Sequence, residues 1–252
     1  MKKTLIALSI ASLLTACGGT SSGEDGTDTK ATEYRVIDGY LSNANVCLIA
    51  EGVTNCEEIG QTDENGLITL PVGTQSGQLI ATIVAGQTSD ADSVGYVAQT
   101  YQMIANIDED SQNVVTPYTT LDALDSNKTI EDIAAELGLS VDLIKGDYVA
   151  SNHEQKIQVH SIARALVTQL AENQEDNDST ELFNQVIAIN DYINTDLRND
   201  GVDLSKQNIV FNENGIIGHE KSISGLADFL ESTELSVQSL NSYFANVEGI
   251  ST

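Results

Sequence analysis

Between residues 33 and 116 the apolar side chains come in short strand-forming runs, and from Thr119 onward they recur at three- and four-residue spacings. The first region holds "YRVIDGYL", "ANVCLIA", "GLITLPV", "GQLIATIVAG" and "YVAQTYQMIANI", separated by clusters of Gly, Asn, Asp and Ser. Several short strands at that spacing predict a small antiparallel β-sandwich over residues 33–118. The sharpest turn is "TDENGLITL", where Asn65-Gly66 can supply the positive φ values of a tight hairpin.

The second region, 119–252, predicts a mainly α-helical domain. "TIEDIAAELGL" offers Thr129 as an N-cap, Asp132 three residues on and Gly138 as a stop, and "SVDLIKG" repeats the device with Ser140 and Gly146. "EQKIQVHSIARALVTQLAEN" spaces Ile157, Ile162, Ala165, Leu166 and Leu170 as a helix face, and "STELFNQVIAINDYINTDL" does the same with Leu182, Val186, Ile189 and Ile193. "NIVFNENGIIG", centred on Asn214-Gly215, predicts a β-hairpin near 208–218, with further helices at "SISGLADFLES" and "ELSVQSLNSYFANV". The expected class is α+β and multidomain: an antiparallel β-sandwich, then a helical domain carrying a small hairpin.

The first thirty-two residues belong to neither region. Lys2 and Lys3 precede a thirteen-residue apolar segment, 4–16, shorter than the ~20 residues a membrane-crossing helix needs and suited to a signal peptide. It ends in Leu14-Thr15-Ala16-Cys17, which resembles the lipobox of bacterial lipoproteins. That resemblance implies removal of residues 1–16 and a lipid on Cys17. Residues 17–32, rich in Gly, Ser, Thr and Asp, then read as a flexible tether. Gly18, where enteric lipoproteins retained at the inner membrane carry aspartate, implies the outer membrane, with the body facing periplasm or cell surface.

Two cysteines remain, Cys47 and Cys56, nine residues apart across a segment containing Gly52. In an oxidising compartment they are expected to form a disulfide between adjacent strands. A metal site is the weaker alternative, since no second cysteine pair or suitably spaced histidine accompanies them. The run "VIDGYLSNANVCLIAEGVTNCEEIGQTDENGLITLPVG" resembles the transthyretin-like, carboxypeptidase-regulatory type of β-sandwich, with Ala44, Val46 and Leu48 on its second strand and Asp63 and Gly66 at its turn. Together with "VTPYTTL" at 115–121 it is also similar to a group of uncharacterised proteobacterial surface lipoproteins. Both resemblances imply a fold, not a chemistry.

No catalytic motif stands out. His153 and His160 are seven residues apart, ~10 Å along one helix, too far for a metal held by those two alone, and "NHEQKIQVH" misses the HExxH spacing. His219 sits beside Glu220 near the expected hairpin. Asp196, Asp200 and Gly201 approach a calcium-loop pattern, but Arg198 occupies a ligand position and Gln207 replaces the closing glutamate. Asp63, Asn65 and Gly66 suggest such a loop faintly and lack its first and last acids. Tyr34, Tyr40, Tyr96, Tyr101 and Tyr118 gather in the strand region, as core and sheet packing would have them. No cofactor and no metal are expected.

With 38 acidic against 11 basic residues the formal charge is −27, and losing Lys2 and Lys3 would take it to −29. Such a surface is repelled by nucleic acid and by anionic headgroups, leaving the N-terminal lipid as the membrane attachment. The expected function is a non-enzymatic binding module of the envelope, working through a protein partner in adhesion, display or assembly. The alternative is a periplasmic solute-binding protein or hydrolase with its site in the helical domain or at the domain junction. That alternative requires a concave pocket with converging polar groups and a perturbed titratable residue.

Overall fold

Period-two alternation builds the first half of the chain. The computed structural model describes residues 31–93, 95–108, 110–125, 128–172, 179–211 and 217–221. Strands β1 (Glu33–Val36), β2 (Leu41–Ser42), β3 (Asn45–Ala50), β4 (Glu57–Gln61), β5 (Leu67–Thr69), β6 (Gly77–Ile83), β7 (Ser89–Asp90), β8 (Tyr101–Ile107) and β9 (Val114–Val115) come first. Helices α1 (Pro117–Leu124), α2 (Ile130–Leu137), α3 (Val141–Lys145), α4 (Lys156–Glu172) and α5 (Ser179–Tyr192) follow, then β10 (Gln207–Phe211) and β11 (Ile217–Lys221). The protein is thus mixed α/β, with its main sheets formed before its helices.

The larger sheet runs β4-β3-β6-β8, all antiparallel. Its register sets Val46 opposite Ala81, Leu48 opposite Leu79, Ala81 opposite Met103 and Ile83 opposite Tyr101. All of these side chains are buried, whereas Gln78, Gln102 and Asn106 on the other face are not. A one-residue slip would exchange the two sets, so the apolar alternation itself fixes the register. The smaller sheet runs β5-β1-β9, and its β1–β9 pair is parallel, departing from the all-antiparallel expectation. Asn113, at φ +56°, turns the chain into that pairing, and its carbonyl accepts from Arg35 N at 2.9 Å.

The Asn65-Gly66 turn is real but is not a hairpin. β4 pairs with β3 and β5 with β1, so this turn carries the chain from one sheet to the other. Only Gly66 takes positive φ, at +74°, and a Cβ there would lie 2.8 Å from the Val36 carbonyl. Backbone bonds close the turn, Asp63 N donating to Leu67 O at 2.9 Å and Gly66 N to Asp63 O at 3.0 Å, and Asp63 Oδ1 reinforces them by accepting from Asn65 N at 2.8 Å and Leu67 N at 2.9 Å.

"VTPYTTL" has a structural explanation. Thr116 caps α1 in a reciprocal box with Thr119, and Pro117 opens the helix. Two threonines of its first turns reach the outer strand of the larger sheet: Thr119 Oγ1 donates to Ile104 O at 2.8 Å, and Ile104 N donates to Thr120 Oγ1 at 2.9 Å. Thr129 and Asp132 form the expected capping box on α2, which ends at Gly138 with φ +63°. In α4 the buried face holds Ile162, Ala165, Leu166 and Leu170, joined by Val159 and Ala163. Ile157 does not join it: it is 45 % exposed, because five- and nine-residue offsets put it on the opposite face of α4 from Ile162 and Leu166. Leu182, Val186, Ile189 and Ile193 are all buried as expected, the last opening a single π-helical turn, Ile193–Leu197.

Strands and helices share one hydrophobic cluster. Tyr118 and Tyr148, both fully buried, pack edge to face at 6.1 Å between ring centres. Their hydroxyls cross between elements, Tyr118 donating to Val159 O at 2.7 Å and Tyr148 to Ile37 O at 3.1 Å. Arg35 stacks over Tyr40 and reaches Asp147 Oδ2 at 2.9 Å, tying β1 to the segment after α3. β10 and β11 pair antiparallel from Gln207↔Lys221 to Phe211↔Ile217. The hairpin tip at Asn214-Gly215 and the two helices expected after it lie outside the described residues, as does the whole of 1–30. Among the described residues no helix is long and apolar enough to cross a membrane.

Candidate functional site

The residues singled out in the sequence separate in space. Cys17 lies outside the described residues. Cys47 and Cys56 form a disulfide, with a Cα–Cα distance of 5.5 Å, across the turn between β3 and β4, whose Gly52 takes φ +78°. His153 precedes α4, and its Nδ1 accepts from Gln155 N at 3.1 Å in the turn that leads into the helix. His153 and His160 therefore do not share a helix. The backbone of His219 stands in β11 opposite Ile209. Near Asp196 and Asp200, it is Asp203 that binds locally, accepting from Ser205 N and pairing with Lys206. Of the five tyrosines, Tyr34, Tyr101 and Tyr118 are core residues, Tyr40 is half-buried and Tyr96 is 65 % exposed.

His160 is the exception among the histidines. It stands on α4 with Lys156 and Arg164, four residues to either side, so the three share one helix face. That face lines a concavity of about 240 Å³. Its other polar walls are Asp92, Ser161, Ser205 and Gln207, and its apolar rim is Ile157 with Leu204. Asp92 comes from the segment after β7, so strand and helix regions both contribute.

Charge organises this place. His160 Nε2 lies 2.8 Å from Asp92 Oδ2, and its ring packs 5.7 Å from Tyr148. Burial alone would raise the Asp92 pKa, but the close approach of His160, with the charges of Arg164 and Lys156, holds it below the ordinary value. Behind it sit two more carboxyls. Asp90, buried, accepts from Asp92 N at 2.9 Å and is pushed upward mainly by burial. Asp38 is pushed up to about 7, first by burial and then by the Asp90 charge. Its Oδ1 has no hydrogen-bond partner among the described residues. Gly39 makes the crowding possible: a Cβ there would fall 2.1 Å from Asp90 Oδ1 and 2.6 Å from Asp92 Oδ2.

A second concavity, about 280 Å³, lies between β8 and the helices and is acidic, with Asp108, Asp110, Asp122 and Glu131 around Lys145. Glu131 accepts from Lys145 at 2.7 Å. Burial raises Asp122 despite the hydrogen bond from the Ile130 backbone. Among the described residues no group of three or more His, Cys, Asp or Glu side chains could hold a metal ion.

Sequence reading missed Asp38, Asp90, Asp92 and Arg164. Acids are so abundant that no single aspartate stands out, but the spacing of Lys156, His160 and Arg164 was a usable signal in a chain with 11 lysines and arginines. No family model, curated protein or solved structure matches the chain.

Proposed function

We propose that the protein is a lipid-anchored envelope protein of the outer membrane, held through Cys17 and the 17–32 tether, whose body is a non-enzymatic binding module. The observation that carries this reading is the Cys47–Cys56 disulfide: it suits an oxidising compartment and leaves Cys17 as the one cysteine of three available for lipid. The two sheets that share one core support the transthyretin-like β-sandwich reading of the strand half. The acidic charge argues against a nucleic-acid partner. The test is metabolic labelling with palmitate: the parent incorporates label and a Cys17→Ser chain does not. Equal labelling of both would remove the anchor from the proposal. Protease treatment of intact cells then separates a surface-facing body, digested at once, from a periplasmic one.

A second reading, small-solute binding rather than a protein partner, is favoured by the α4 concavity. It has the polar convergence and perturbed carboxyls that reading requires, and it lies where strand and helix regions meet. A hydrolase has less support, because no serine hydroxyl hydrogen-bonds His160 among the described residues and Asp92 occupies its Nε2.

A further inference from the structure

We infer that the concavity on the outer face of α4 binds a small oxyanion, the carboxylate or phosphate group of a solute, through Lys156 and Arg164 with His160 beside them. This rests on the small-solute reading and names its ligand class.

The argument starts from scarcity. In a chain of charge −27 every cation is drawn toward a carboxylate. Five others find partners: Arg35, Lys145 and Lys206 meet Asp147, Glu131 and Asp203 at 2.9, 2.7 and 3.2 Å, Lys128 sits over the Phe183 ring, and Arg198 donates to Gln158 Oε1. Lys156 and Arg164 do not: among the described residues neither side chain makes a hydrogen bond or a direct ion pair. Three aspartates lie within electrostatic range of Arg164, yet they do not cancel it by contact. Asp92 is taken up by His160 at 2.8 Å. Asp38 and Asp90 are buried behind it, and burial favours their uncharged forms. The two cations are thus left facing the concavity with their donors unspent.

The shape agrees with that chemistry. A guanidinium and an ammonium two turns apart on one face, ~12 Å along the helix axis, can close from both sides on a group carried by a small molecule. The polar side chains of Ser161 and Gln207 line the same space, and exposed Ile157 gives an apolar edge for the rest of a solute. About 240 Å³ limits the occupant to a small molecule.

The experiment is isothermal titration of the full chain, in a non-ionic detergent at pH 7, with inorganic phosphate and, separately, with acetate. Sodium chloride at matched ionic strength is the blank. Saturable binding of at least one is expected, weakened about tenfold or more in Arg164→Gln and in Lys156→Gln, since each removes a charge-assisted donor. Whichever of the two binds more tightly distinguishes a phosphate from a carboxylate solute. Both substitutions are at partly exposed positions, and unchanged far-ultraviolet circular dichroism checks their folding. The inference is overturned if neither anion binds above the blank, or if both variants bind as the parent does. Glucose and spermidine are titrated in parallel. If either binds, and loses binding in Ile157→Glu while both anions fail, the small-solute reading stands and the anion assignment falls.

Discussion

Replacing Asp38 by asparagine isolates the cost of keeping a carboxyl in the core. Asp38 is 7 % exposed, its Oδ1 has no partner among the described residues, and burial with the neighbouring Asp90 charge moves its pKa from 3.8 to about 7. The unfolded chain gives up this proton in the ordinary carboxylate range, while the folded chain keeps it until about pH 7. The stability contributed by the neutral form is therefore fully present below pH 3.8 and lost as pH rises through about 7. A displacement of that size corresponds to roughly 4 kcal/mol across the window. Asparagine has the same shape and does not titrate. D38N should lie within about 1 kcal/mol of the parent at pH 4.5 and exceed it by roughly 2–4 kcal/mol at pH 8.5. Urea unfolding at both values, with the slope checked for constancy, reads this directly. Parallel pH profiles for parent and variant, or a variant weaker at pH 8.5, would refute the reasoning.

Three other perturbations test separate parts of the fold. Cys47→Ser with Cys56→Ser should lower stability by about 2–3 kcal/mol in urea, from the loop entropy the disulfide removes, and reductant should then have no further effect. Thr120→Val strands the Ile104 N–H, which should cost about 1–2 kcal/mol and speed hydrogen exchange at that amide above its neighbours in β8. Gly39→Ala forces a methyl into the carboxylates of Asp90 and Asp92, and a loss of about 3 kcal/mol or more is expected in thermal unfolding.

What the sequence disclosed was local. Thr129, Asp132 and Gly138 act within one helix, so their types and spacing alone announce the capping box and the stop. The alternation of β6 and β8 likewise carries its own register. The turn at Asn65-Gly66 was visible as a turn, but nothing within it tells that β5 will join β1 rather than β4. The same limit hid the α4 concavity. Asp92 reaches His160 across more than sixty residues of chain, with Asp38 gathered near them from still farther away, and contact at that separation leaves no periodic trace. Ile157 stands five residues before Ile162 and nine before Leu166, offsets that turn it to the far side of α4, so it never shared their face.

The threonines of α1 have one more effect. By taking the outward carbonyl and amide of Ile104, they occupy the free margin of β8 at its centre. Among the described residues the larger sheet is then left with one open margin, β4, and that strand begins with two exposed glutamates, Glu57 and Glu58. Two copies brought together along β4 would set like charges side by side, so sheet-to-sheet polymerisation is discouraged on one side by a helix and on the other by repulsion.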